Sequence, residues 1–344
     1  MTGPRAAVVA FGELLLRLAP PGPTRLVQAE LFEARYTGAE ANVAVALTCF
    51  GLSCSVVSKV PADELGQACV NYVRRFGVDT TQVRRGGERL GTLYLEQGVA
   101  PRSTKVIYDR AGSAFARSQP AEYDWDEILH DAQWLHFSGT APACGAGVAA
   151  ALERGLRTAR HLGVTVSCDL NYRAKLSGIE EAGRTLAPLM AYVDLLTGSG
   201  EDAARVFAIA TRHGDLDNDE LGAEGHAHVA QALAERFGIA RTAGTLRHES
   251  TDGTALVGVL CQDGAAYTSG SYVLGPTVDR IGAGDAFSAG VIFGLVSGWD
   301  ARRVVEFATA SCCLKHSIEG DFALLSSDEV EALASGSRGG RVQR

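Results

Sequence analysis

The sequence predicts an α/β protein: a doubly wound, mostly parallel sheet flanked by helices, with a small β-sheet lid. Three observations carry this expectation. From Gln133 onward, short apolar strands alternate with helical stretches, as when helices cross over between parallel strands. Before that point, several strand-like segments follow one another with no helix between them, so they do not belong to a parallel sheet. Finally, residues 279–290, "DRIGAGDAFSAG", form a glycine turn opening an apolar helix, a junction that often grips an anion.

Each element follows from its local pattern. Residues 6–11 are an apolar run closed by Gly12, which reads as a buried strand. Residues 14–18 and 31–36 are short and strand-like. Residues 39–50 place apolar side chains at helical spacing, with Gly51 as the stop. Residues 53–60 are β-rich, and 63–76 form a helix ended by Gly77. Residues 91–96 and 104–108 are strands joined by a turn containing Gly98 and Pro101. The alternating part follows: strands at 134–138, 164–169, 193–196 and 240–246, with helices at 145–162, 180–192, 202–208 and 226–237. Residues 255–261, 265–269 and 272–274 read as an antiparallel edge, and helices at 284–296 and 301–316 finish the core. The whole is expected as one domain over residues 1–334, with lid strands drawn from about 13–36 and 91–109. The acidic stretch 213–226 reads as a solvated loop, and the Gly/Ser/Arg tail 335–344 as disordered.

Composition bounds the function. The 344 residues are 46% hydrophobic and 21% charged, which fits a folded globular protein. A net charge of −8 argues against a nucleic-acid partner. No apolar run is long enough to span a bilayer, and the first ten residues lack a signal-peptide layout, so a cytoplasmic chain is expected. The eight cysteines form no C-x-x-C pair and read as reduced core thiols.

Gly282, Ala283, Gly284 and Asp285 stand where loop becomes helix. The first N–H groups of a helix have no intrahelical partner, the peptide dipoles add positive charge there, and glycine admits a phosphoryl group close to the backbone. No lysine follows as a Walker A loop requires. Asp285 reads either as an ordinary first-turn acid or as a general base that accepts a hydroxyl proton beside the anion hole.

"DRIGAGDAFSAG" resembles the C-terminal signature of the ribokinase-like (PfkB) carbohydrate kinases, D-T-x-G-A-G-D-x-F. Residues 37–51, "TGAEANVAVALTCFG", resemble the family's N-terminal G-G-x-x-x-N and its alanine-rich helix, with Ala39 in place of the second glycine. The resemblance covers roughly residues 8–330 and implies a ribokinase-like fold and ATP-dependent phosphorylation. It implies Asp285 as base, the 282–285 backbone as anion hole, and oxygens of Asp279 and Ile281 near a monovalent cation, potassium in many members. Arg280 stands where the motif has threonine; a side chain turned to solvent leaves the assignment intact. Gly38 and Asn42 would approach the sugar hydroxyls, although Asn42 also reads as a residue bonding the backbone at its helix start.

Three further segments resemble the 2-keto-3-deoxygluconate kinases of that family: "TLYLEQG" with Tyr94, "KVIYDRAGSAFA" with Tyr108 and Arg110, and "CDLNYR" with Asp169, Asn171 and Arg173. A sugar acid needs cationic partners, and arginine offers the planar fork that matches a carboxylate. Read only from their residues, the tyrosines are more commonly packed strand aromatics and Arg110 a surface charge. Arg173 follows a strand end, where α/β sheets bind ligands. The implied reaction takes 2-keto-3-deoxygluconate to its 6-phosphate, with the galactonate epimer, fructose and ribose as other acceptors.

On the nucleotide side, Glu201 matches the E of a family N-x-x-E segment near magnesium, while Gly198 replaces its Asn; Glu201 also reads as a first-turn acid. Thr245 and Arg247 resemble a nucleotide-binding variant, and Ala308 and Cys312 lie in a segment resembling the one that flanks the adenine. The implied cofactors are ATP, Mg2+ and K+; the implied assembly is a homo-oligomer formed through the lid. Two rivals come from other classes. "GAGVAA", residues 145–150, matches a dinucleotide G-x-G-x-x-A with Asp169 about two dozen residues on, which suggests an NAD-dependent dehydrogenase. A sugar sensor without catalysis is the other.

Overall fold

A computed structural model describes residues 7–99, 101–211, 221–250 and 253–336. Residues 212–220 of the acidic loop and 337–344 of the tail lie outside the described residues.

Strand β1 (Val8–Phe11) sits mid-sheet, so both of its faces are apolar. Its alternation sends Val8 and Ala10 into one core and Val9 and Phe11 into the other. The chain then leaves for the small sheet with β2 (Leu15–Ala19) and β3 (Glu33–Thr37), and returns through α1 (Ala39–Cys49), β4 (Cys54–Val60), α2 (Glu64–Arg74) and β5 (Val83–Arg85). A second excursion supplies β6 (Gly91–Glu96) and β7 (Lys105–Asp109). From α3 (Trp125–Leu129) the strands and helices alternate: β8 (Trp134–Ser138), α4 (Ala146–Leu162), β9 (Thr165–Asp169), α5 (Ile179–Met190), β10 (Leu195–Thr197), α6 (Gly200–Val206), α7 (Ala223–Phe237) and β11 (Arg241–Ser250). An antiparallel edge follows in β12 (Gly253–Gln262), β13 (Ala265–Thr268) and β14 (Tyr272–Val273), then α8 (Ala283–Val296), α9 (Ala301–Lys315) and α10 (Ser327–Ala334).

The large sheet runs β13-β12-β11-β10-β9-β8-β1-β4-β5, with β14 on β12. Its strands from β11 through β5 are parallel, and β12 to β14 make the antiparallel edge. Helices α1, α2, α8, α9 and α10 cover one face and α3 to α7 the other, each over its own core. Chain direction across the sheet reverses at β1, between β4 and β8, which opens a crevice beyond the carboxyl ends of the strands. Helices α1 and α8 both start there, and both are buried over most of their length. The doubly wound expectation matches this sheet.

The second sheet, β3-β2-β6-β7, stands over the crevice. Strands β2 and β6 pair in parallel, and the other two pairs are antiparallel. Leu15, Leu93 and Leu95 form its inner face with Val106 and Tyr108, and Ile281 of the loop before α8 packs against them. Three elements escaped the sequence reading. β5 and α3, of 3 and 5 residues, are too short to display a period. α10 carries a local signal, the capping box Ser326–Glu329. Among the described residues no helix is long and apolar enough to cross a membrane.

Candidate active site

Helix α8 begins at Gly282, whose φ of 82° lies in the left-handed region. A Cβ there would fall on the Asp321 carbonyl, so glycine is required twice over. No side chain caps this helix start. The Ala283 N–H turns back to the Arg280 carbonyl at 3.3 Å, and its methyl joins the core. Ala283 does not line the cavity, while Gly282, Gly284 and Asp285 do.

The Asp285 carboxylate is held from α1: Asn42 Nδ2 donates to Oδ2 at 2.6 Å. Thr37 Oγ1 in turn donates to Asn42 Oδ1 at 3.1 Å. Asn42 lines the cavity with its amide already engaged by the acid. Gly38 opens α1 without a side-chain cap; a Cβ there would strike the Glu13 carbonyl. Burial and then the charge of Asp169 push Asp285 up to about 8. Asp169, at the end of β9, is pushed up to about 6, mainly by burial, with Arg173 opposing. Two carboxyl groups thus share a desolvated floor, and neither is held firmly ionised.

The two arginines differ. Arg110 donates from Nε to Glu13 Oε2 at 2.6 Å, and its Nη2 lies 3.0 Å from Cys144 Sγ. Glu13 also accepts from Ser113 Oγ. The charge expected to meet a substrate carboxylate is therefore already matched inside the protein, although Arg110 still lines the cavity. Arg173 is exposed to the cavity, and no carboxylate among the described residues is hydrogen-bonded to it. Its charge reaches both Asp169 and Asp285. The loop carrying it turns at Asn171, which has a φ of 42° and donates its N–H to Asp169 Oδ1 at 3.1 Å. Asparagine tolerates that left-handed conformation better than most residues.

Tyr108 lines the cavity and Tyr94 does not. Alternation along β6 turns Tyr94 to the outer face, where it stacks edge-on with Phe32 at 6.0 Å. Several polar contacts tie this sheet to the body. Gln97 Nε2 donates to the Val278 carbonyl at 2.7 Å, and Lys175 Nζ to the Val106 carbonyl at 2.8 Å. Buried Arg17 on β2 pairs with Asp279 at 2.8 Å and also with Asp321.

On the other side of the cavity lie Arg247 and Arg280. Arg280 lines the cavity yet is exposed to solvent, as expected, and is held below its usual range by burial and then by Arg247. Glu201 does not line the cavity: Ser199 Oγ, which also caps α6, donates to its carboxylate at 2.6 Å. Its neighbours Gly198, Ser199 and Asp202 do line it. Thr245 lies outside while Arg247, two residues on, lies inside. Ala308 and Cys312 are buried in α9, with Ala308 pressed against Gly290 of α8. The Asp279 carbonyl, expected near a monovalent cation, accepts from Lys315 Nζ at 3.1 Å. The dinucleotide-like glycines serve packing instead: Gly145 and Gly147 lie against the Ala116 and Ser118 carbonyls, away from the cavity.

The whole site is one cavity of about 1020 Å³. Sequence reading missed Glu13, Arg17, Glu40 and Asp321. Glu40 is buried in the first turn of α1 and accepts from Ser138 N at 2.9 Å and Oγ at 2.6 Å, clamping α1 to the end of β8. The "GE" following β1 was the one local signal for Glu13; the others declare themselves only through distant partners.

The family model "pfkB family carbohydrate kinase" matches residues 5–321. A 2-dehydro-3-deoxygalactonokinase of Haloferax volcanii is 32% identical over 335 residues, covering 97% of this chain and 98% of that protein. A 2-dehydro-3-deoxygluconokinase of Thermoproteus tenax is 28% identical, covering 95% and 94%. The crystal structure of a 2-dehydro-3-deoxygluconokinase from Thermotoga maritima superposes with a TM-score of 0.90 at 42% identity, over 96% of this chain and 99% of that one.

Proposed function

The chain belongs to the pfkB family of carbohydrate kinases, and we propose that it transfers the γ-phosphoryl group of ATP to the terminal hydroxyl of 2-keto-3-deoxygluconate. The observation that carries this reading is the presence of Asp285, at an uncapped helix start, in the same cavity as Arg173, a cation to which no carboxylate among the described residues is hydrogen-bonded. The relatives named for 2-dehydro-3-deoxy sugar acids support the acceptor class. The galactonate epimer is the second reading, favoured by the Haloferax relative.

ATP suits the cavity's charge. Arg247 and Arg280 both line the cavity, close enough for the charge of one to lower the pKa of the other, and a polyphosphate relieves that repulsion. Asp202, which lines the cavity near the charge of Glu201, is the side chain best placed toward magnesium. Magnesium, when bound with the nucleotide, supplies neutralisation of phosphate charge.

In this reading Arg173 orients the sugar carboxylate, and Tyr108, Leu93 and Leu95 wall the chain. Asp285 takes the proton of the C6 hydroxyl as that oxygen attacks the γ-phosphorus in line. The bond to the bridging oxygen breaks and ADP leaves with its electrons. The N–H groups at the start of α8 hold the transferring oxygens. A carboxyl near pH 8 is a stronger base than an ordinary aspartate and suits a poorly acidic hydroxyl. The exposed apolar side chains on and beside the small sheet, among them Phe32 and Ile107, fit pairing with a second copy, which gel filtration checks.

The test is ATP-dependent phosphorylation of 2-keto-3-deoxygluconate, its galactonate epimer, fructose and ribose by wild type and Asp285→Asn. Turnover confined to the keto-deoxy acids and abolished in the variant is expected. Preference for fructose or ribose would sink the sugar-acid reading while leaving a kinase.

A further inference from the structure

We propose that the Lys315 ammonium stands in for a monovalent cation beneath the phosphate-holding turn, making this kinase independent of potassium. Lys315 ends α9 and is 0% exposed. Its Nζ donates to the Asp279 carbonyl at 3.1 Å and the Ile318 carbonyl at 2.9 Å. A lysine in the last turn also meets the negative end of its helix dipole. A backbone-carbonyl seat at a helix end is what a weakly hydrated cation of single charge would occupy, and here a side chain fills it.

The surrounding charges agree. Asp279 and Asp321 are both buried and both pair with Arg17. Two carboxylates against one guanidinium leave one negative charge in a region shielded from water. Lys315 cancels it: burial pulls its pKa down, and Asp279 and then Asp321 pull it back up. The adjacent His316 adds no charge to this balance, because burial holds its imidazole below its usual range while Nδ1 faces the Cys312 carbonyl at 2.8 Å. Burying an ammonium is costly unless its charge is used. A potassium ion sharing this seat would meet a fixed positive charge on the carbonyl it needs, so the residues do not fit one.

What the ammonium holds is the loop that delivers the anion hole. The Val278 and Asp279 N–H groups donate to the His316 carbonyl at 2.8 and 3.3 Å, and Asp279 Oδ1 accepts the Ile281 N–H at 3.0 Å. Lys315 therefore fixes residues 278–282 from below while the start of α8 faces the cavity above. It is a positioning residue that acts through the Asp279–Gly282 backbone, with no contact to the reacting atoms.

The inference rests on the kinase reading for the purpose of the loop, so its test uses ATP binding, which needs no acceptor. Calorimetric ATP affinity with magnesium is measured in potassium chloride and in tetramethylammonium chloride at equal ionic strength, for wild type and Lys315→Ala. Wild-type affinity should differ by less than threefold between the salts. The variant should bind at least threefold more weakly in tetramethylammonium and recover at least threefold in potassium. Potassium tightening the wild type more than threefold overturns the proposal. So does a folded variant that is unaffected in both salts, or weakened equally in both, since the first denies a role and the second leaves only a structural one. Where circular dichroism shows the variant unfolded, the wild-type comparison decides. A protein that binds ATP as expected yet phosphorylates no sugar acid would fail the acceptor reading and leave this one standing.

Discussion

At the floor of the cavity, the lining groups come from single short stretches: the start of α8 at Gly282, Gly284 and Asp285, and the 169–173 loop after β9. At the roof they come from alternating strand positions, Leu93, Leu95, Val106 and Tyr108, and from arginines whose partners lie far away in sequence. The floor works with backbone N–H groups and two unsettled carboxyl groups. The roof works with charges engaged inside the protein: Arg110 with Glu13 across 97 residues, Arg102 with Glu96 at 2.7 Å, and Arg17 with Asp279 and Asp321. Charge left unmatched inside the protein is available to a ligand, and charge already matched holds shape. Floor residues should thus govern the chemistry, and roof residues should govern closure and fit.

The largest expected effect tests the floor. Asp285→Asn should cut kcat by about 10³-fold or more, toward the upper end of what a general base contributes, with KM little changed; steady-state kinetics reads both. The same variant should be more stable. A folded-state pKa of about 8 exceeds the ordinary carboxyl value, so the native state binds the extra proton, and stability falls as pH rises from about 4 to 8. Asparagine removes that penalty, and after a discount for partial solvent contact a Tm rise of about 1–4 °C at pH 8 is expected by calorimetry.

Next comes the unmatched cation. Arg173→Ala should lower kcat/KM for the sugar acid by about 10–100-fold, the worth of a charge-assisted pair, while Arg110→Lys should cost less because Glu13 keeps a partner. Equal losses would erase the distinction between matched and unmatched arginines. A pH profile then sharpens the floor: kcat/KM should climb by about tenfold per unit below the Asp285 value near 8, then level off. A flat profile between pH 6 and 8 would remove Asp285 as the titrating base. The smallest effect belongs to the roof's outer face. Tyr94→Phe should leave kcat/KM within about twofold, because the ring meets Phe32 rather than substrate.

Floor residues were legible because their signals are local. Gly282 and Asp285 lie within one turn, and a glycine before an apolar helix means the same wherever it sits. Asn171 and Arg173 follow a strand end and inherit its position. The roof was legible as strands and misread as side chains. Tyr94 and Tyr108 look alike in sequence, and only the pleat decides which one faces in. Glu201 matched a motif but turned to the hydroxyl two residues before it.

By itself, then, the sequence determined the strand–helix alternation after Gln133, the antiparallel edge, and the glycine-and-acid turn, but not that β1, β4 and β5, before Gln133, join the same parallel sheet. The determined features depend on periodicity and on backbone conformations few residues can adopt. Tertiary structure alone decided which charges are cancelled: Glu13 against Arg110, and Arg17 and Lys315 against Asp279 and Asp321. Cancellation needs contact within a few ångströms, and those residues meet only after the sheet has brought distant segments together.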